Sequence, residues 1–205
     1  MADRRASAER QLNDAASQLT AKRAAAAERL ARSVNRVLPK LGLSGGKLQV
    51  RLTPLEVPGT SGGEAVEFLV QLNPGMDPRP VAKSASGGEL SRLMLALKTV
   101  LGRHDQVPTL VFDEVDQGIG GEIGRQVGEM LADVAARHQV LVITHLAPIA
   151  ARAERHLAVA KRARGGVATS DVQVLLGEDR VGELARMLGD ADSETARRHA
   201  LELMR

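Results

Sequence analysis

Three short segments of this chain hold residue types that can handle a phosphate and a water molecule. The first is SASGGELSR at 84–92, followed by the unbroken apolar stretch LMLALKTVL. That order places Ser86, Gly87 and Gly88 at a helix N-terminus, where backbone N–H groups and the positive end of the helix dipole attract an anion. Glycine lets the backbone approach such an anion closely, and the Ser86 hydroxyl adds a donor. A serine N-cap on a tight glycine turn has the same spelling, so this segment does not decide between the two.

The second segment, TLVFDEVD at 109–116, is a buried-type strand that delivers Asp113 and Glu114 together at its C-terminal end. Carboxylates in that place suit Mg²⁺, held directly or through water, and the orientation of an attacking water. Strand alternation would send the two side chains to opposite sides, Asp113 toward metal-bound water and Glu114 toward the nucleophile. The third segment, QVLVITH at 139–145, ends in Thr144-His145 on what should be the same rim. There His145 could meet a terminal phosphate, although a lone histidine is more often structural. Asp116, in the Gly-rich run EVDQGIGG, is either a simple turn residue or part of a longer functional loop.

These segments need elements to hold them. Residues 3–38 spell one Ala/Arg/Glu-rich helix that stops at Pro39. Leu12, Ala16, Leu19, Ala26, Leu30 and Val37 form a 3/4-spaced stripe that Arg23 and Ser33 interrupt, as at the end of a coiled coil or on a helix packed against its own domain. Strands are predicted at 47–53 and 64–72, with Val66, Phe68, Val70 and Leu72 on one side and the Pro/Gly-rich PLEVPGTSGG as the loop between them. From residue 74 the order becomes helix 88–102, strand 108–113, helix 120–137, strand 139–144 and a short helix after His145, which implies an α/β fold with a parallel sheet. Strands at 155–161 and 168–175 and helices near 180–188 and 192–204 complete the chain.

Composition narrows the chemistry. The 205 residues, 43% of them hydrophobic, include no cysteine, which removes disulfides, thiolate metal sites and a cysteine nucleophile. Phe68 and Phe112 are the two aromatic residues, too few for a base-stacking platform, so contact with nucleic acid would be to phosphates. The net charge of +3 tolerates a polyanion without identifying one. Arg152, Arg155, Lys161, Arg162 and Arg164 cluster late in the chain, where a solvated face is the favoured reading. No apolar run approaches membrane-spanning length and the N-terminus lacks a secretory apolar core, so a cytoplasmic protein is expected.

Taken in order, SGGE, a hydrophobic strand ending in Asp-Glu, and a strand ending in His resemble the signature, Walker B and switch-histidine series of the ABC ATPases. Within them the chain resembles the RecN family of the SMC-like branch, bacterial DNA-repair ATPases. That likeness is carried by EFLVQLNPGMDPRPVAKSASGGELSR, LVFDEVDQGIGG, VLVITHLAPIAARAERHLAV and VGELARMLGD, over about residues 64–190. The resemblance implies ATP and Mg²⁺ as cofactors and a homodimer of heads. Ser86, Gly87, Gly88 and Glu89 would then contact ATP held by the opposite head, and Asp116 would belong to the D-loop along the dimer interface. It implies Glu114 and His145 as catalytic residues, Asp113 near Mg²⁺, DNA as a partner in double-strand-break repair, and a cytoplasmic, nucleoid-associated location.

Such an ATPase also needs GxxxxGK[ST], and the sequence does not contain it. LGLSGGKL at 41–48 has leucine where the first glycine and the Mg²⁺-binding Ser/Thr should stand, and it precedes a strand instead of following one. The expected organisation is therefore the end of a coiled-coil arm at 1–40 and the C-terminal half of an ATPase head at 41–205, inactive or very weak until an N-terminal P-loop lobe completes it. An ABC-transporter ATPase subunit and a non-catalytic domain of the same shape are the alternatives. The arm-like helix disfavours the first, and the intact Asp113, Glu114 and His145 disfavour the second.

Overall fold

The computed structural model describes residues 1–83, 86–164 and 167–205, with the backbone alone described for Arg103, 161–164 and 167–169. Ser84 and Ala85 of the glycine-bearing segment lie outside the described residues, as do the side chains of Lys161, Arg162 and Arg164. The chain divides into two compact units, Met1–Val100 and Leu101–Arg205, each described by itself.

The first unit opens with helix α1 (Ala2–Val37), free of Gly and Pro, and passes at Pro39 into a single tight 3₁₀ turn, Leu38–Leu41. No residue of the predicted stripe is fully covered. Leu12 and Leu19 remain 46% and 36% exposed, Ala26 is exposed, and Ala16, Leu30 and Val37 are half-buried. The fully buried residues here are Val34, Leu38 and Leu41, outside the stripe. The second half of α1 lies on strands β1 (Lys47–Gly59) and β2 (Gly62–Gln71), which run antiparallel from Lys47↔Gln71 to Gly59↔Gly62. Two polar clamps fix it there. Asn35 donates to Leu48 O and accepts from Leu48 N, at 3.2 and 2.7 Å. Farther up the helix, Thr20 Oγ1 and Arg23 Nη1 both donate to the buried Glu64 carboxylate, at 2.6 and 2.9 Å. Arg23, which breaks the apolar stripe in sequence, is thus the counter-charge to an acid on β2.

The segment predicted as a hairpin loop is instead mostly strand, and only Thr60-Ser61 turns. Its prolines are tolerated because β1 is the outer strand of the β1-β2-β3 sheet, where a missing N–H breaks no ladder, and the register shifts between Pro54 and Gly59. Strand β3 (Arg79–Pro80) is too short to have been foreseen. Of the predicted β2 face, Val70 and Leu72 are buried, but Val66 and Phe68 stay 45% and 40% exposed. Helix α2 (Gly87–Leu101) closes the unit, burying Leu93, Leu95, Ala96 and Leu97.

The second unit is built on a β-α-β element. Strand β4 (Thr109–Phe112) leads through helix α3 (Gly121–Ala135) to strand β5 (Gln139–Val142), which pairs parallel with β4 from Thr109↔Gln139 to Phe112↔Val142. The parallel sheet predicted from the strand-helix alternation is therefore present, with two strands among the described residues. One face buries Leu110 and Phe112, while the other leaves Val111, Leu141 and Ile143 open. Gly124 and Gly128, one helical turn apart on α3, admit the segment after β5. A Cβ on Gly128 would sit 2.9 Å from Pro148 O, and one on Gly124 3.2 Å from Leu146 Cδ1.

Helix α4 (Ala147–Ala150) sits in that groove. It then meets α5 (Gly177–Met187) and α6 (Glu194–Leu203) in a core of Ala147, Ala150, Ala151, Val181, Leu184 and Ala200. Arg180 Nη2 donates to the carbonyls of Ala151 and Ala153 at 3.0 and 2.6 Å, satisfying acceptors left open where α4 ends. Between α4 and α5, strands β6 (His156–Arg164) and β7 (Val167–Leu175) form an antiparallel hairpin. No helix among the described residues is long and apolar enough to cross a membrane.

The Glu64 clamp makes the first unit pH-sensitive. The hydrogen bond from Thr20, and then that from Arg23, hold the Glu64 carboxyl below its ordinary value of 4.5. A depressed acid stabilises the fold above its unfolded value, and that contribution disappears as pH falls through the lower, folded one. Urea denaturation should therefore show stability dropping below about pH 4.5. Glu64→Gln should be less stable than wild type at neutral pH and flatter across the acid window. An unchanged slope in Glu64→Gln would remove the clamp from the acid response.

Candidate functional site

The site elements of the second unit follow from how β4 ends. After Phe112 the strand stops, and Asp113 Oδ1 accepts from the next backbone N–H, that of Glu114, at 2.9 Å. Glu114 then adopts φ 55°, the one non-glycine residue with positive φ among the described residues. Strand alternation consequently does not separate the two acids as expected, because neither belongs to the strand. Asp113 turns back onto its own chain, Glu114 is held in the left-handed region, and both remain exposed. The turn continues with Gln117 N donating to Glu114 O at 3.0 Å and Ile119 N to Asp116 O at 3.3 Å, which carries Val115 and Asp116 inward to 0% and 4% exposure.

The neighbouring strand runs out beside it. Ile143 N donates to Phe112 O at 3.0 Å, extending the β4–β5 pairing one step past the strands, so Thr144 and His145 fall next to the carboxylate turn. Two donors from this dipeptide converge on Asp116 Oδ2, Thr144 Oγ1 at 2.5 Å and His145 N at 2.8 Å, and His145 Nδ1 lies within ion-pair distance of the same oxygen at 2.9 Å. Thr144 Oγ1 also accepts from Leu146 N at 3.0 Å, which fixes the turn into α4. The His145 side chain nevertheless stands 72% exposed. The second unit thus gathers Asp113, Glu114, Asp116 and His145 at the C-terminal ends of two adjacent parallel strands, where α/β sheets bind ligands.

The glycine-bearing segment belongs to the first unit. Ser86 precedes α2, and Leu90 N donates to Ser86 O at 2.9 Å. The Ser86 backbone N–H and hydroxyl both donate to Glu89 Oε2, at 3.3 and 3.0 Å, the reciprocal half of a capping box. Glu89 therefore shapes the turn by reaching back to Ser86. Ser86 and Gly87 are exposed and Gly88 is buried.

Among the described residues no three His, Asp or Glu side chains cluster closely enough to hold a metal ion by themselves. Mg²⁺ bound to a nucleotide needs only one or two carboxylates, with phosphate and water filling the remaining positions, and Asp113 at its strand end fits that smaller requirement. The residues that sequence reasoning missed are supporting ones: Gly124 and Gly128, legible as a Gly-x-x-x-Gly spacing, and Arg180, whose target carbonyls no local pattern reveals.

Solved structures share this fold. The Smc head domain of Pyrococcus yayanosii, with its coiled coil and joint, matches 78% of the chain and 29% of its own length at 25% identity and a TM-score of 0.55. That of Pyrococcus furiosus, bound to the C-terminal domain of ScpA, matches 72% of the chain and 35% of its own length at 24% identity and a TM-score of 0.51. The class is that of an SMC-like ATPase head segment.

Within that class the chain is RecN-like. It is 45% identical to the DNA repair protein RecN of Streptomyces coelicolor over 207 residues, which are 95% of the chain and 36% of that protein. Identity to RecN of Treponema pallidum is 46% over 194 residues, 91% of the chain and 34% of that protein. RecN of Deinococcus radiodurans matches at 45% over 186 residues, 91% of the chain and 33% of that protein. The chain thus spans about a third of the length of these relatives. No protein-family model matches it.

The left-handed backbone at Glu114 can be tested by itself. A non-glycine residue there costs about 1 kcal/mol, so Glu114→Gly should leave thermal stability equal or raise it by up to about that amount. A β-branched Glu114→Val should lower it by more than about 1 kcal/mol. Equal melting curves for the Gly and Val variants would contradict the φ of 55°.

Proposed function

We propose that this chain provides the signature segment, the Walker B carboxylates and the switch histidine of an SMC-like ATPase head that hydrolyses ATP in DNA double-strand-break repair. The observation that carries the reading is the meeting of Asp113, Glu114, Asp116 and His145 where β4 and β5 end side by side. The RecN relatives, each called a DNA repair protein, support the biological setting.

In this reading Glu114 orients the attacking water and His145 faces the terminal phosphate. Asp113 stands near Mg²⁺, which supplies charge neutralisation at the phosphates when bound. A P-loop lobe of the same head would hold the nucleotide, since the sequence contains no GxxxxGK[ST]. Ser86, Gly87, Gly88 and Glu89 would then complete the site of a second head, in a homodimer acting in the cytoplasm on nucleoid DNA through phosphate contacts. The exposed Ser86-Gly87 turn at the N-terminus of α2 is suited to that task, because backbone N–H groups and the helix dipole favour a phosphate there.

Two variants test the assignment in a head completed by a P-loop lobe. Glu114→Gln should keep ATP binding but slow turnover by about 100-fold or more, and accumulate an ATP-bound dimer on size exclusion. Wild-type turnover in that variant would take Glu114 out of the catalytic role. Ser86→Arg should abolish ATP-driven dimerisation and hydrolysis while a single head still binds nucleotide with affinity within about threefold of wild type, because most of that binding belongs to the P-loop. Collapse of single-head binding in a folded Ser86→Arg protein would show that the signature acts within its own head.

A further inference from the structure

We propose that Asp116 is the positioning residue for His145: it holds ring nitrogen Nδ1, so that Nε2 alone is presented to an incoming phosphate. The inference rests on the ATPase reading above for the identity of that phosphate, and on the geometry of the second unit for everything else.

A carboxylate at 4% exposure is costly to bury unless donors replace the water it has lost. Here the partners come from one dipeptide: Thr144 Oγ1 and His145 N donate to Oδ2, and His145 Nδ1 pairs with the same oxygen at 2.9 Å. Two of the three belong to His145. Backbone N and ring Nδ1 on the same oxygen close a small loop that restricts the rotation a 72% exposed imidazole would otherwise have.

The chemistry of the partners fixes the proton. A carboxylate only accepts, so a ring paired with it through Nδ1 carries hydrogen on that nitrogen, which in a neutral ring is the tautomer that free imidazole disfavours. A hydrogen bond from Nε2 to a phosphate oxygen then requires hydrogen on both nitrogens, and the Asp116 carboxylate is the counter-charge to that cation. The acid of a Ser-His-Asp triad serves its histidine in the same way. Asp116 itself does not touch the phosphate in this arrangement. Its location follows from the turn that Glu114 begins, which directs residues 115 and 116 inward while Asp113 and Glu114 stay outside.

The test uses this chain labelled with ¹⁵N-histidine and long-range ¹H–¹⁵N correlation spectra, which read the tautomer of each neutral ring directly. His145, assigned by its loss in His145→Ala, should appear as the Nδ1–H form in wild type and shift toward Nε2–H in Asp116→Ala. Asp116→Asn, whose oxygen can occupy the place of Oδ2, should retain Nδ1–H. Should Asp116→Ala fail to fold, Asp116→Ser, too short to reach the ring, carries the same expectation. A His145 signal that is the same in wild type and in the Ala or Ser variant overturns the proposal.

The second arm is turnover by a head completed by a P-loop lobe. Asp116→Ala should lower kcat by about 10- to 100-fold with KM for ATP changed by less than about threefold, and Asp116→Asn, which keeps the acceptor oxygen but not the counter-charge, should recover only part of the loss. If His145→Ala also leaves turnover intact, the ATPase reading of His145 fails and the spectra alone judge the inference. If His145→Ala is impaired while Asp116→Ala is not, the positioning role is overturned.

Discussion

A carboxylate removed from water must find its donors inside the fold, and where those donors sit determines which parts of the chain are held together. Asp116 imposes that constraint on the second unit. Its Oδ2 draws the end of β5 against the turn after β4, and the Gly124–Gly128 groove of α3 then receives the residues that follow. Glu64 does the same in the first unit, drawing Thr20 and Arg23 of α1 onto β2. In both cases a buried acid fastens an element distant in sequence, which apolar packing alone would leave free to slide.

The two faces of the β4–β5 pair differ sharply in exposure. Leu110 and Phe112 are covered, while Val111 and Ile143 stand more than 60% exposed on the other side. The β6–β7 hairpin repeats the asymmetry: Leu157, Val159, Val172 and Val174, cross-strand neighbours in the register, are all at least half exposed. Apolar strand faces of this kind are ordinarily buried.

Much of this was legible in the sequence. The β4-α3-β5 order, the strand ends that carry Asp113, Glu114 and His145, and the long first helix all follow from hydrophobic periodicity and breakers, which are local signals. The extent of β1 and β2 was not, because Pro and Gly mark turns unless the strand lies at a sheet edge, and edge position is a tertiary fact. Nor was the placement of Asp113 and Glu114 legible, since both lie past the end of β4, where Glu114 is left-handed and strand alternation no longer applies. Arg23 looked like a flaw in an apolar stripe until Glu64, 41 residues later, supplied its partner.

The clamp at Glu64 also gives α1 a mechanical character. Fastened at residues 20, 23 and 35, the helix projects its first two turns and more beyond the last hold, and nothing in Ala2–Val37 interrupts its hydrogen-bond ladder. At a rise of 1.5 Å per residue the arm from residue 2 to residue 15, ahead of the approach of Ala16 to Gly63, is about 20 Å long, against about 23 Å between the clamps at 20 and 35. The ion pair thus marks where the projecting arm meets the sheet, so load on that arm reaches β2 through Arg23 and Glu64 before it reaches β1 through Asn35.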